Sequence, residues 1–249
     1  MGMKRRWLFV SMLAALILIS AGWWLVNREQ ARGDAAKHPL GLFTSLPILW
    51  SEQADLRDVL AEPREPHWAK AALAKHGQVG ALNTLLDLSA HDRLIMAQPR
   101  PLSPDENVAL DRWVRAGGTL LMFADPMLTE ESAFALGDRR RPQDVVLISP
   151  ILARWGLELR FDDAQQGGLR ENAGEAIQVN LPGQIAAKAG GFESHCNIGP
   201  EGLIARCRVG KGRAVIVADA ALLEMSRSGD VQADRLEMLM DKTFRDGAM

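Results

Sequence analysis

The stretch from Asp92 to Pro126, DRLIMAQPRPLSPDENVALDRWVRAGGTLLMFADP, decides the fold, because it reads as one strand, helix, strand unit with its helix boundaries signalled. Leu94 to Ala97 and Thr119 to Ala124 are short apolar runs suited to strands buried on both faces. Between them Ser103 is placed to cap a helix, Pro104 takes its first position and Glu106 completes a Ser-x-x-Glu capping box, while Gly117 and Gly118 end it. Ala109, Leu110, Trp113 and Val114 fall on one side, the spacing of a helix lying on a sheet. The unit is half of a parallel α/β sheet.

Upstream, Lys4, Arg5 and Arg6 precede an apolar run from Trp7 to Val26, about 30 Å long as a helix, which matches a bilayer's hydrocarbon core. The cationic cluster before the run, against mixed charges after it, orients the N-terminus toward the cytoplasm and the remainder outside it. Trp7, Trp23 and Trp24 suit the two interfacial belts. The competing assignment is a secretory signal cleaved after Ser20, Ala21 and Gly22, but the run exceeds the roughly 7–15 residues of a signal's apolar core. The expected organisation is a basic cytoplasmic stub over 1–6, a transmembrane helix over 7–26, a linker over 27–38 and a periplasmic α/β domain over 39–249. That makes the chain a single-pass protein of a bacterial inner membrane. No cysteine lies near the N-terminus to suggest a lipoprotein.

The composition, 47% hydrophobic and 24% charged with a net charge of -2, is that of a globular domain and carries no basic field for nucleic acid. Seven tryptophans and no tyrosine form a skew without a physical account. Leu40 to Leu49 reads as a first strand, Glu62 to Pro66 as a loop, and Trp68 to Lys75 as a short helix. Gln78 to Leu88 is open between strand and helix. Arg139, Arg140 and Arg141 lie in a polar loop and are expected on a solvated surface rather than in an anion site. Ser149 with Pro150 opens a second capped helix that Gly156 closes, and Leu157 to Phe161 is the expected next strand. Ile177 to Leu181 suits an edge strand. Phe192 to Ile198, Leu203 to Val209 and Arg213 to Ala218 suit consecutive antiparallel strands, followed by a closing helix over Asp230 to Arg245.

Cys196 and Cys207 are the only cysteines, and an even count in an exported chain suggests a disulfide. A four-residue loop from Pro200 to Leu203 would set them directly opposite, whereas a bulged turn would offset them by one. A Cys nucleophile with His195 as base is disfavoured, since adjacent strand residues point to opposite faces. The five histidines show no zinc-protease spacing, and no P-loop, G-x-S-x-G or G-x-G-x-x-G is present, so no metal or cofactor is expected. Asp125 and Asp219 end apolar strands in Phe-Ala-Asp-Pro and Val-Ala-Asp-Ala. Two roles compete for them: lining a strand-end crevice as acid, base or ligand anchor, and capping the turns that follow, which is favoured. Gln98, Pro99 and Ser103 are expected at the same edge.

AQPRPLSPDENVALDRWVRAGGTLLMFADP, SPILARWGLELRF and GKGRAVIVADAALLE together resemble the membrane-tethered families with a class I glutamine-amidotransferase-like domain, among them auxiliary components of ABC-type transport systems and the gliding-motility-associated group. The resemblance covers Leu40 onward and implies a flavodoxin-like sheet, mostly parallel with antiparallel C-terminal strands, and an extracytoplasmic location. True glutamine amidotransferases put a cysteine on a sharp turn directly after a central strand, with a histidine and a carboxylate downstream. Here Asp125 and Pro126 follow Thr119 to Ala124, and neither cysteine follows an expected parallel strand. The expectation is therefore a non-catalytic accessory or binding domain of an ABC-type transport or envelope assembly. The alternative is an envelope hydrolase or lyase using Asp125 and Asp219.

Overall fold

The computed structural model describes residues 39–52, 66–172, 174–224 and 229–245. The expected transmembrane run 7–26, the linker and nearly all of the loop at Glu62 to Pro66 lie outside the described residues. No helix among the described residues is long and apolar enough to cross a membrane.

The chain is mixed α/β around a mostly parallel central sheet. Its first elements are β1 (Leu40–Thr44), α1 (Trp68–Ala74), β2 (Val79–Ala81), β3 (Arg93–Ala97), α2 (Pro104–Ala116) and β4 (Thr119–Phe123). Then follow α3 (Ser149–Arg154), β5 (Leu157–Arg160), β6 (Arg170–Asn172), β7 (Ile177–Val179), β8 (Gln184–Ala187) and β9 (Ser194–Ile198). The last are β10 (Ile204–Val209), β11 (Gly212–Val217) and α4 (Asp230–Phe244). The seven-stranded sheet runs β2-β1-β3-β4-β11-β10-β9, with β1 to β4 and β11 mutually parallel, β10 antiparallel to β11 and β9 antiparallel to β10.

The central strands are apolar on both sides because helices cover both. On one face Ile95, Ala97, Leu121, Phe123, Val215 and Val217 pack with Leu73 of α1 and Leu236, Leu239 and Met240 of α4. On the other, Leu94, Met96, Leu120, Met122, Ala214 and Ile216 pack with Leu110 and Val114 of α2 and Ile151, Leu152 and Trp155 of α3. The α2 boundaries are those the sequence signals: Glu106 N–H donates to Ser103 Oγ at 3.1 Å and Ser103 N–H to Glu106 Oε2 at 3.0 Å. Gly117 ends the helix at φ 129°, where a side chain would be strained. Gly212 admits the start of β11 against the helix end, since a Cβ there would lie 2.0 Å from the Val114 carbonyl oxygen.

Several expectations are corrected. The first strand stops at Thr44, because Thr44 Oγ1 accepts from Leu46 N–H at 2.9 Å and folds the chain into a turn. The ambiguous Gln78 to Leu88 yields only the three-residue edge strand β2. Ser149 is the first helical residue of α3 rather than its cap, and the cap position, Ile148, makes no side-chain hydrogen bond. The strand at Leu157 leaves the main sheet and pairs with β8 in a separate two-stranded sheet. The expected edge strand at Ile177 to Leu181 is present as β7, paired with β6.

The loop between β9 and β10 is the four-residue one, with Gly199 N–H donating to Ile204 O at 2.8 Å. Cys207 therefore stands opposite Cys196, and the two are bonded, with S–S 1.97 Å and Cα atoms 4.0 Å apart.

Candidate functional site

The carboxyl ends of β1, β3, β4 and β11 lie side by side, and three linked arrangements occupy that edge. The first is centred on Gln98, which directly follows β3 in a left-handed conformation, φ 45°, and is fully buried. Such a backbone costs a non-glycine residue on the order of 1–3 kcal/mol and persists only where its surroundings hold it. They do so here through the side chain: Nε2 donates to Asp125 O at 3.0 Å and to Gln143 O at 2.7 Å, and Oε1 accepts from Asp125 N–H at 2.9 Å. Ser45, just beyond β1, donates through Oγ to Gln98 O and accepts from Gln143 N–H at 3.0 Å. Gln98 thus ties three strand ends to the segment at Gln143.

The second arrangement brings the two candidate carboxylates together. Asp125 is 0% and Asp219 2% exposed. Asp125 Oδ1 accepts from Met127 N–H at 2.8 Å, the capping contact read from the sequence, while Oδ2 accepts from Ala220 N–H at 3.1 Å across the sheet. Asp219 Oδ1 accepts from Ala221 N–H at 2.6 Å, and Oδ2 from Asn180 N–H at 2.9 Å. Every carboxylate oxygen of the pair therefore holds a loop by its backbone. Buried Glu224 adjoins them, accepting from Thr129 Oγ1, which in turn accepts from Asn180 Nδ2 at 3.0 Å.

Burial pushes the Asp125 carboxyl up to about 7, opposed by the Met127 and Ala220 N–H groups and reinforced by the charge of Glu224. Asp219 is raised well above the usual range, by burial first and by the Asp125 charge second. Nearby His67 is lowered by burial. Its Nδ1 accepts from Ala69 N–H at 3.1 Å, so Nε2, 2.9 Å from Leu223 O, carries the proton as donor.

The third arrangement is an open cleft of 310 Å³ at the ends of β1 and β3. Arg100, Arg139, Arg140 and Arg141 line it beside Trp50 and Asn83. Asp125 and Asp219 do not line it; they lie buried under the neighbouring loops. The sequence assigned Arg139 to Arg141 to a solvated loop. Arg139 and Arg140 are exposed there, but the loop folds back so that all three border the cleft. Arg100 was not singled out at all. Glu106, chosen as a capping residue, grips it with both oxygens, at 2.7 and 2.8 Å, while also accepting from Leu85 N–H and Thr84 Oγ1. These contacts hold the Glu106 carboxyl down at about 2, with the Arg100 hydrogen bond the largest cause. Only the Arg-Pro-Leu-Ser-Pro-Asp-Glu spacing hinted at this pairing, and a capping box explains that spacing equally well.

Among the described residues no group of three or more His, Cys, Asp or Glu side chains is arranged to hold a metal ion. His195 is exposed on β9 and stands beside, not across from, the disulfide.

No family model matches the chain, and no curated protein matches it. Among solved structures it is similar to the exo-β-1,4-mannosidase Op5Man5 from Opitutaceae bacterium strain TAV5, at 17% identity and a TM-score of 0.42 over 84% of this chain and 34% of that one. A cold-adapted β-galactosidase from Rahnella sp. R3 gives 15% identity and 0.45 over 83% and 31%. The chain thus spans about a third of the length of these glycosidases. The mmIFT52 N-terminal domain gives 10% identity and a TM-score of 0.50 over 84% of this chain and 99% of that domain. At that identity the likeness to this domain is one of fold alone.

Proposed function

We propose that the chain is a membrane-anchored, extracytoplasmic domain that binds rather than catalyses, an accessory part of an ABC-type transport or envelope assembly. Its architecture on this reading is flavodoxin-like, of the class I glutamine-amidotransferase-like kind. The order β2-β1-β3-β4 followed by parallel β11 agrees with the flavodoxin-like pattern.

The observation that carries the non-catalytic reading is Gln98. Amidotransferase chemistry would need a thiol on a sharp turn after a central strand; here β4 is followed by Asp125 and β3 by Gln98, a left-handed residue whose amide is consumed by backbone groups. A primary amide is no nucleophile, and this one is fully buried. The alternative, hydrolase or lyase chemistry at Asp125 and Asp219, fits less well. Both are sealed from the cleft, and their oxygens already accept from the backbone.

The test is purification of the tagged full-length chain from detergent-solubilised membranes, with mass spectrometry of what stays bound. Recovery of an ATPase and a permease, or of other envelope subunits, is expected. A partner-free chain would overturn the accessory reading. An Asp125→Asn chain that folds and keeps its partners yet loses cellular function would turn the choice toward an enzyme.

A further inference from the structure

The cleft at the ends of β1 and β3 gathers four arginines at an open surface. Among its described lining residues are four guanidinium groups and no carboxylate. Three of the four are immobilised. Arg100 is gripped by Glu106 and lies over Phe43, 4.9 Å from the ring centre. Arg140 pairs with Asp138 through Nε at 3.1 Å and a terminal nitrogen at 2.7 Å, and lies 4.2 Å over Phe134. Arg141 pairs with Asp144 and donates to Phe134 O at 2.9 Å. Glu106, Asp138 and Asp144 stand outside the lining, and they both fix and neutralise these three arginines. Glu52, the remaining carboxylate felt by Arg141, is engaged by Ser132 and by Ala133 N–H.

Arg139 differs: it is exposed and has no hydrogen-bond or ion-pair partner among the described residues. Its charge is the uncompensated one. Beside it Trp50 presents an indole 44% exposed, a large aromatic surface left to solvent at the mouth of a polar cleft. Guanidinium groups match carboxylate and phosphate oxygens in fork geometry, and cations already pinned lose little further freedom on binding. The cleft also lies where the order of the parallel strands reverses, between β1 and β3, which is where open α/β sheets take ligands.

The geometry points to a binding site for a small organic anion: a carboxylate or phosphate group on Arg139, and a ring-shaped body such as a sugar against Trp50. The site deepens the binding function proposed above and rests on it.

The experiment is calorimetric titration of the full-length chain in detergent with glucuronate, glucose 6-phosphate, inorganic phosphate and, as neutral control, glucose. Saturable binding of a charged sugar with Kd below about 1 mM is expected, with glucose at least about tenfold weaker. Glucuronate alone would assign the carboxylate, glucose 6-phosphate alone the phosphate. Arg139→Gln, at an exposed and unpaired position, should leave the unfolding midpoint unchanged and raise Kd about tenfold or more. Trp50→Ala should weaken the sugars and leave inorganic phosphate unaffected. Equal binding of glucose and the anions, no binding of any probe, or unchanged affinity in Arg139→Gln would each overturn the inference. If no anion binds while transporter subunits still copurify, the cleft assignment alone fails. If anions bind to a chain that purifies without partners, the accessory role alone fails.

Discussion

Replacing Asp125 by asparagine should make the stability of the chain respond less to pH, and the structure sets both the direction and the size. The unfolded chain releases the Asp125 proton near 3.8, whereas burial holds it in the folded chain up to about 7. Between those values the folded chain binds more protons than the unfolded one, so this residue's contribution is most favourable below about 3.8 and falls as pH rises to about 7. The interval converts to about 4 kcal/mol. Asparagine has no such term, but it offers one oxygen to two N–H donors, Met127 and Ala220, so one donor is orphaned at about 1–3 kcal/mol. The variant should therefore gain about 3 kcal/mol relative to the native chain between pH 5 and pH 8, and be the more stable of the two at pH 8. Removing the Asp125 charge also relieves Asp219, which adds to the gain at high pH. Urea unfolding followed by far-UV circular dichroism, on both proteins at both pH values, reads the joint change at Asp125 and Asp219, because the titrating groups remote from this pair cancel. If the difference between variant and native chain is the same at pH 5 and pH 8 to within about 0.5 kcal/mol, Asp125 does not carry the raised pKa and the reasoning fails.

Glu106→Ala should destabilise by about 2–4 kcal/mol, because it strands the Leu85 N–H and removes both prongs of the Arg100 pair; an unchanged urea midpoint would refute this. The Glu106 contribution is full above about 4.5 and lost as pH falls through about 2, opposite in sign to that of Asp125, so an acid titration of Glu106→Gln should lack that limb. Replacing Cys196 and Cys207 together by serine should cost about 3 kcal/mol, since the bridge closes a short loop, and thiol counting on the denatured native chain should find no free cysteine unless reductant is added. At position 98, glycine removes the backbone strain but not the loss of three side-chain hydrogen bonds. Thermal midpoints should therefore fall in the order Gln, Gly, Ala, and an alanine variant as stable as glycine would contradict the strain assignment.

The parallel half of the sheet was legible because its signals are local. The Ser103 to Glu106 capping box, the Gly117 stop and two doubly buried apolar runs are each complete within a few residues. The capping role of Asp125 and Asp219 was readable for the same reason, each bonding an N–H two residues on. Their second oxygens were not readable: they reach Ala220 and Asn180, contacts made only by tertiary packing. Gln98 carries no sequence signal for its left-handed turn, since the strain is held by partners at Asp125 and Gln143. The short strands β5 to β8 were misplaced or left vague because a run of three or four residues fits a small separate sheet as well as a large one. The arginine loop looked solvated because three cations in a row usually are. What brings it to the cleft is Gln143, tied to Ser45 and Gln98 from far away in the chain.

The neighbours of β4 in the finished sheet are β3, made immediately before it, and β11, whose Val217 meets Phe123 only after the whole intervening segment exists. At a synthesis rate of roughly 5–20 residues per second, that leaves one side of β4, all five of whose residues end up buried, waiting for a time on the order of 10 s. An apolar strand with an open ladder is the kind of edge to which foreign chains add. The hairpin of β10 and β11 turns through Gly210 and Lys211, so its own pairing is local, and that edge is sealed when β11 docks on β4. The vulnerable period of this protein is therefore set by the length of the excursion that separates β4 from its last neighbour, and a longer excursion there would lengthen it in proportion.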